Sequence, residues 1–171
     1  GGYQGAYVSE LAAEIPDAAE RDVNQLAAAA VERLLGQIKT TLQRYGVRYD
    51  RFFSERTLHQ GSPSALDRAL RRLEQTGHLY RSEGALWLRT TSFGDDKDRV
   101  VVRTSGEPTY LAADIAYLHE KLERGFELQL IPVGADHHAY ARELEAALAA
   151  LGGDPEGLEL PILQFVHLVH A

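Results

Sequence analysis

The chain has 171 residues, 44% of them hydrophobic and 25% charged, with a formal net charge of −7 and no cysteine. This is the composition of a folded globular protein, long enough for one domain or two small ones, and no apolar run approaches the roughly 18 residues that a membrane span needs. The missing thiols exclude disulfides and thiolate-bound metal. Together with the lack of a basic-then-apolar opening, they point to the cytoplasm and to no membrane partner.

Residues 1–88 carry 11 acidic and 11 basic side chains, whereas residues 89–171 carry 14 and 7. The acid excess starts where the pattern changes from helix-dominated sequence to alternating strand and helix, and this sets the expected division into 1–88 and 89–171. In the first part, "YQGAYVSELAAEI" predicts a short helix stopped by Pro16. "DVNQLAAAAVERLLGQIKTTLQRYG" predicts a long amphipathic helix from Asp22 to about Gly46, with Leu26, Ala30, Leu34, Ile38 and Leu42 repeating every four residues. "VRYDRFFSE" has the aromatic alternation of a strand. "SPSALDRALRRLEQTG" predicts a helix with Ser62 as N-cap, Pro63 at its first position, Leu66, Leu70 and Leu73 on one face, and Gly77 as terminator. "HLYRSEGALWLRT" predicts a hairpin turning near Glu83 and Gly84.

Arg68, Arg71 and Arg72 put a basic face on the helix before this hairpin, which admits a winged-helix nucleic-acid-binding reading. The basic surplus over residues 51–88 is only 6 against 4. That is thin for a surface that must neutralise phosphates.

The second part reads strand, helix, strand, helix, strand: "RVVVRT", "TYLAADIAYLHEKLERG", "FELQLIPVG", "DHHAYARELEAALAALGG" and "LELPILQFVHLV". This order predicts an α/β fold with a parallel sheet and crossover helices, whose ligands collect where strands end and helices begin. Two places qualify, the helix start at Tyr110 and "VGADHH" at 133–138. On the first helix, Leu111, Ile115, Leu118 and Leu122 form one stripe. Tyr110, Asp114, Tyr117 and Lys121 form another about a quarter-turn away. A partly buried Asp114 calls for a cation, and the residues alone leave two sources open: a structural ion pair with Lys121 or Arg103, or a cationic ligand. In "VGADHH", adjacent histidines on a helix diverge by about 100°, so the spacing argues against a protein-bound metal. His167 and His170, three apart on a predicted strand, face opposite ways and suit structural or surface roles.

The stretch "FGDDKDRVVVRTSGEPTYLAADIAYLHEKLERGFELQLIPVGADHH" resembles the second half of the catalytic domain of arginyl-tRNA synthetases, which are class I aminoacyl-tRNA synthetases. The resemblance extends back through "GALWLRT", "RFFSE" and "GGYQGAYVSELA" to nearly the whole chain. It implies part of a Rossmann-like nucleotide-binding sheet over 89–171, preceded by an α+β insertion (connective) subdomain over 1–88. It also implies L-arginine, ATP with its Mg2+, and tRNA(Arg) as partners of a monomeric parent enzyme. By the same analogy, Tyr110, Asp114 and His137 lie at the arginine, with Asp114 receiving the guanidinium, while Gly134, Asp136 and His138 lie along the ATP. No residue is assigned a catalytic role. The family's "HIGH"-type and "KMSK"-type signatures are absent, so the resemblance implies an internal piece that is inactive alone. A non-catalytic synthetase-derived binding module is the alternative.

Overall fold

Asp22 starts the longest helix of the computed structural model, which describes residues 5–135, 140–164 and 166–167. Its carboxylate accepts from the backbone N–H groups of Asn24 at 2.8 Å and Gln25 at 2.9 Å, satisfying donors that the first helical turn leaves without partners. The helix, α2 (Val23–Arg44), follows a short α1 (Ala6–Glu14). Beyond it the Val47 N–H returns to the Leu42 carbonyl while Gly46 takes a positive φ of 73°, a conformation that glycine adopts without penalty. Arg33 pairs with Glu14 at 2.7 Å, joining α2 to α1. Both helices stand where the sequence places them, and they form the first of two compact units, which ends at Phe52. The strand expected over 47–55 does not form. Residues 47–54 enter no ladder, and a single 3-10 turn, Glu55–His59, follows. Alternation supplies a face for a strand, but without a neighbour to share its backbone hydrogen bonds there is no sheet.

The second unit begins at Phe53. The change of pattern at 88/89 is not a break in packing, because α3 (Ala65–Gln75) lies against α4 (Tyr110–Glu123) across it. The cap of α3 is Ser64 rather than Ser62. The Ser64 Oγ accepts from the Asp67 N–H at 3.1 Å, and the Asp67 carboxylate accepts from the Ser64 N–H at 2.9 Å. Ser62 cannot close this reciprocal box, since the residue three positions on is Ala65. Gly77 ends the helix at φ 76°, as expected, and Leu66, Ala69 and Leu73 are buried. Strands β1 (Leu79–Ser82) and β2 (Ala85–Leu88) then form the expected hairpin about Glu83 and Gly84, both at positive φ as a two-residue turn requires.

Strand β3 (Arg99–Val102) pairs antiparallel with β2, completing a three-stranded meander. The parallel pairing expected of the second half appears further on. β4 (Gln129–Leu130) runs parallel to β6 (Leu158–Glu159), and β5 (Val133–Gly134) runs parallel to β7 (Ile162–Leu163), with α5 (Tyr140–Ala150) between the paired segments in sequence. Among the described residues these remain small sheets rather than one broad sheet. Pro132 and Pro161 have no N–H, which divides each run into two short pieces, although Ile131 and Val133 still donate across to Glu159 and Pro161.

The core of this unit is built around α4. Ile115 and Leu118 are fully buried with Leu58, Leu73, Leu88, Val101 and Leu148 from the surrounding elements. A second tie is ionic. Arg99 donates from Nε to Asp95 at 2.7 Å and from Nη2 to Asp95 at 2.8 Å, and it also pairs with Asp96 at 2.7 Å and with Glu143 of α5 at 2.9 Å. The Asp95 side chain is 1% exposed and that of Arg99 is 16% exposed. The guanidinium holds the Asp95 carboxyl down to about 2, against burial, which acts the other way.

Two outcomes test this account. Ser64→Ala should cost about 1 kcal/mol in urea unfolding, whereas Ser62→Ala should be near neutral. Asp95 is depressed in the folded state, so its contribution is fully present above the unfolded value of 3.8 and is lost as pH falls through about 2. Asp95→Asn should therefore destabilise the chain by about 2 kcal/mol at pH 7, with the difference from the unsubstituted chain closing over that acid window.

Candidate functional site

The candidate site grows from the first turns of α4. Thr109 caps the helix, its Oγ1 accepting from the Ala112 N–H at 3.3 Å and donating to the Val100 carbonyl at 2.9 Å, so the helix start is fastened to β3. With Leu111 and Ile115 turned into the core, the residue before each is carried to its edge. Tyr110 is 84% exposed, and Asp114, one turn on, is half-buried.

Tyr110 stands at the wall of an open cleft of about 400 Å³, with Glu55, His59, Arg103, Glu107 and Thr109 among its lining residues. Asp114 lies on the same side of the helix as Tyr110, and its direct partner is a hydroxyl, because Tyr140 at the start of α5 donates to its Oδ2. Burial pushes the Asp114 carboxyl above its usual value, the negative charge of Glu55 pushes the same way, and the Tyr140 hydrogen bond and the Lys121 charge oppose them. Burial, and next the Asp114 carboxylate, push the Tyr140 phenol far above its usual range. Neither structural cation considered from the sequence is the direct partner. The Lys121 ammonium sits 4.3 Å from the centre of the Tyr117 ring, with its pKa lowered by burial first and by Arg124 next, and Arg103 lines the cleft.

Sequence reasoning missed Tyr140 and Glu55. Tyr140 lies 26 residues from Asp114, and only the packing of α5 on α4 joins them. Glu55 sits inside "RFFSE", but without a strand or helix pattern nothing in the sequence aims it at α4.

On the other side, Gly134 lies in β5 opposite Leu163, in a hollow of about 280 Å³ that Pro132, Val133 and Gln164 also line. Asp136, His137 and His138 lie outside the described residues. Among the described residues no group of three or more His, Asp and Glu could hold a metal. His167 is exposed, and His170 lies outside the described residues. On the basic face of α3, Arg68 reaches Glu123 of α4 at 3.1 Å, so one of its three arginines is already engaged. No helix of the described residues is long and apolar enough to cross a membrane.

No protein-family model matches the chain. Arginine–tRNA ligases do. That of Clavibacter sepedonicus is 44% identical over 98% of this chain, that of Paenarthrobacter aurescens 46% over 97%, and that of Micrococcus luteus 47% over 97%. The chain spans about a third of the length of these curated relatives, covering 32%, 32% and 31% of them. A crystal structure assigned as an arginyl-tRNA synthetase from Campylobacter jejuni superposes with a TM-score of 0.86 at 35% identity, covering 96% of this chain and 37% of that one. In sequence and in fold, over nearly its whole length, this chain is thus homologous to a stretch of arginine–tRNA ligases, the arginyl-tRNA synthetase family.

Proposed function

We propose that the chain is part of an arginine–tRNA ligase that activates L-arginine with ATP to arginyl-adenylate and transfers the arginine to tRNA(Arg). In this reading, residues 1–88 are the connective insertion and residues 89–171 belong to the second half of the Rossmann-like domain. ATP enters as a substrate with its Mg2+, in the cytoplasm. The observation that carries the arginine assignment is the state of Asp114: a half-buried carboxylate, in the field of a second carboxylate at Glu55, met among the described residues by a neutral hydroxyl rather than by a cation. A guanidinium suits this arrangement because it is planar, always charged, and offers parallel N–H donors. Neutral citrulline would leave the negative field unanswered.

Tyr110 forms the cleft wall and offers a ring face to the cation, a contact worth about 1 kcal/mol. His137 belongs to the arginine end, and Gly134, Asp136 and His138 belong to the ATP side. The reaction needs no nucleophile from the protein. The arginine carboxylate attacks the α-phosphate of ATP, so what these residues supply is position and charge.

Asp114→Asn in the full-length ligase should lose about 2 to 4 kcal/mol of arginine recognition, and its arginine-over-citrulline preference should fall with it. An unchanged arginine KM together with an unchanged preference would make Asp114 purely structural. Tyr110→Ala should raise the KM for arginine more than that for ATP, and Asp136→Ala should do the reverse. In this reading the 171-residue chain alone should show no arginine-dependent ATP–pyrophosphate exchange, because its sequence carries neither a "HIGH"-type nor a "KMSK"-type signature and loss of even one donor to the reacting charge typically costs about 100- to 1000-fold. Exchange above a protein-free control would overturn the expectation that it is inactive alone.

A further inference from the structure

We propose that Tyr140 is a positioning residue for Asp114: its hydroxyl fixes one carboxylate oxygen and ties the helix that reads arginine to the helix that follows the nucleotide-side segment. The inference rests on the arginine assignment above for its functional meaning, but its geometry stands without it.

Tyr140 is half-buried, and its hydroxyl donates to Asp114 Oδ2. Glu143 is three residues further along α5, on the same face, and pairs with Arg99 at 2.9 Å. Arg99 is in turn held by two bonds to the buried Asp95. The first turn of α5 is therefore held at two points, to α4 through Tyr140 and to β3 through Glu143. A tyrosine ring on a helix tethered in this way has little freedom to swing, so its hydroxyl marks a definite position for the carboxylate. Oδ2 accepts this hydrogen bond, and in this reading Oδ1 receives the incoming N–H donor.

Among the described residues, the groups facing Asp114 come from three elements. Glu55 from the 3-10 turn disfavours the ionised form, and Lys121 from α4 and Tyr140 from α5 favour it. Of the two favourable groups, Tyr140 is the one in direct contact, because the Lys121 ammonium lies over the Tyr117 ring. Among the described residues, removing the hydroxyl should leave Asp114 against Glu55 with only the more remote lysine in support. The carboxyl should then hold its proton to higher pH and should no longer be aimed.

The test is carbon-13 NMR on the 171-residue chain labelled at the aspartate carboxyl and tyrosine ring carbons, with Asp114→Asn identifying the Asp114 signal. In Tyr140→Phe the Asp114 midpoint should move to higher pH. In Asp114→Asn the Tyr140 phenol should titrate at lower pH than in the unsubstituted chain. The second arm decides if Tyr140→Phe does not fold. A role in packing alone would move neither midpoint, and midpoints unchanged in the folded variants would overturn the proposal. Titrating L-arginine into the same samples examines the arginine reading separately. The unsubstituted chain should bind it about tenfold more tightly than Tyr140→Phe near neutral pH, as expected for loss of a hydrogen bond to a charged group. Coupled midpoints without any response to L-arginine would uphold Tyr140 as the partner that positions Asp114 and overturn the arginine assignment.

Discussion

The rotation of α4 about its own axis is the constraint on which the candidate site depends. Leu111, Ile115 and Leu118 are buried among residues of α3, α5, β2 and β3, and turning the helix would bring one of these side chains into water. At 100° per residue, burying Ile115 leaves no choice about Asp114, which must lie beside the core with its carboxylate at the rim. Fully burying one large aliphatic side chain is worth about 1.5 to 3 kcal/mol, so a stripe of them outweighs the cost of holding one carboxylate half out of water. The tolerance of the fold for a charge in that place follows from the same packing that puts it there.

The electrostatics then divide into two settings of opposite character. At Asp95 the carboxylate is almost wholly enclosed, but a guanidinium grips both oxygens, and the ionised form is strongly favoured. At Asp114 the carboxylate is less enclosed, yet its direct partner is neutral and its nearby acidic neighbour works against it, so the ionised form is disfavoured. The satisfied ion network at Asp95 acts as a strut. The strut also reaches α5, since Arg99 pairs with Glu143 on the helix that carries Tyr140.

The chain is similar to one stretch of arginine–tRNA ligases, spanning about a third of their length. The raised Asp114 carboxyl arises from burial and from the Glu55 charge, opposed by the Tyr140 hydrogen bond. The parallel pairs β4–β6 and β5–β7, with α5 between the paired segments in sequence, stand in strand–helix–strand order as small sheets divided by Pro132 and Pro161 among the described residues.

Local rules were enough to read α1, α2, the body of α3, the hairpin about Glu83 and Gly84, and the two stripes of α4 from the sequence, because caps, glycine terminators and helical periodicity act within a few residues. The Ser64 cap is equally local, and its reciprocal box with Asp67 is visible in the order of residues, whereas the Ser62 reading attends only to Pro63 beside it. The motifs from "GDDKDRV" to "GADHH" sufficed to recognise the family. Only tertiary structure decided that residues 47–54 would form no strand, that β3 would join the hairpin antiparallel, and that Asp114 would meet Tyr140 and the charge of Glu55. The reason is common to all three. A strand needs a neighbour and a buried charge needs a partner, and both are supplied by residues distant in the chain, whose approach depends on how whole elements pack.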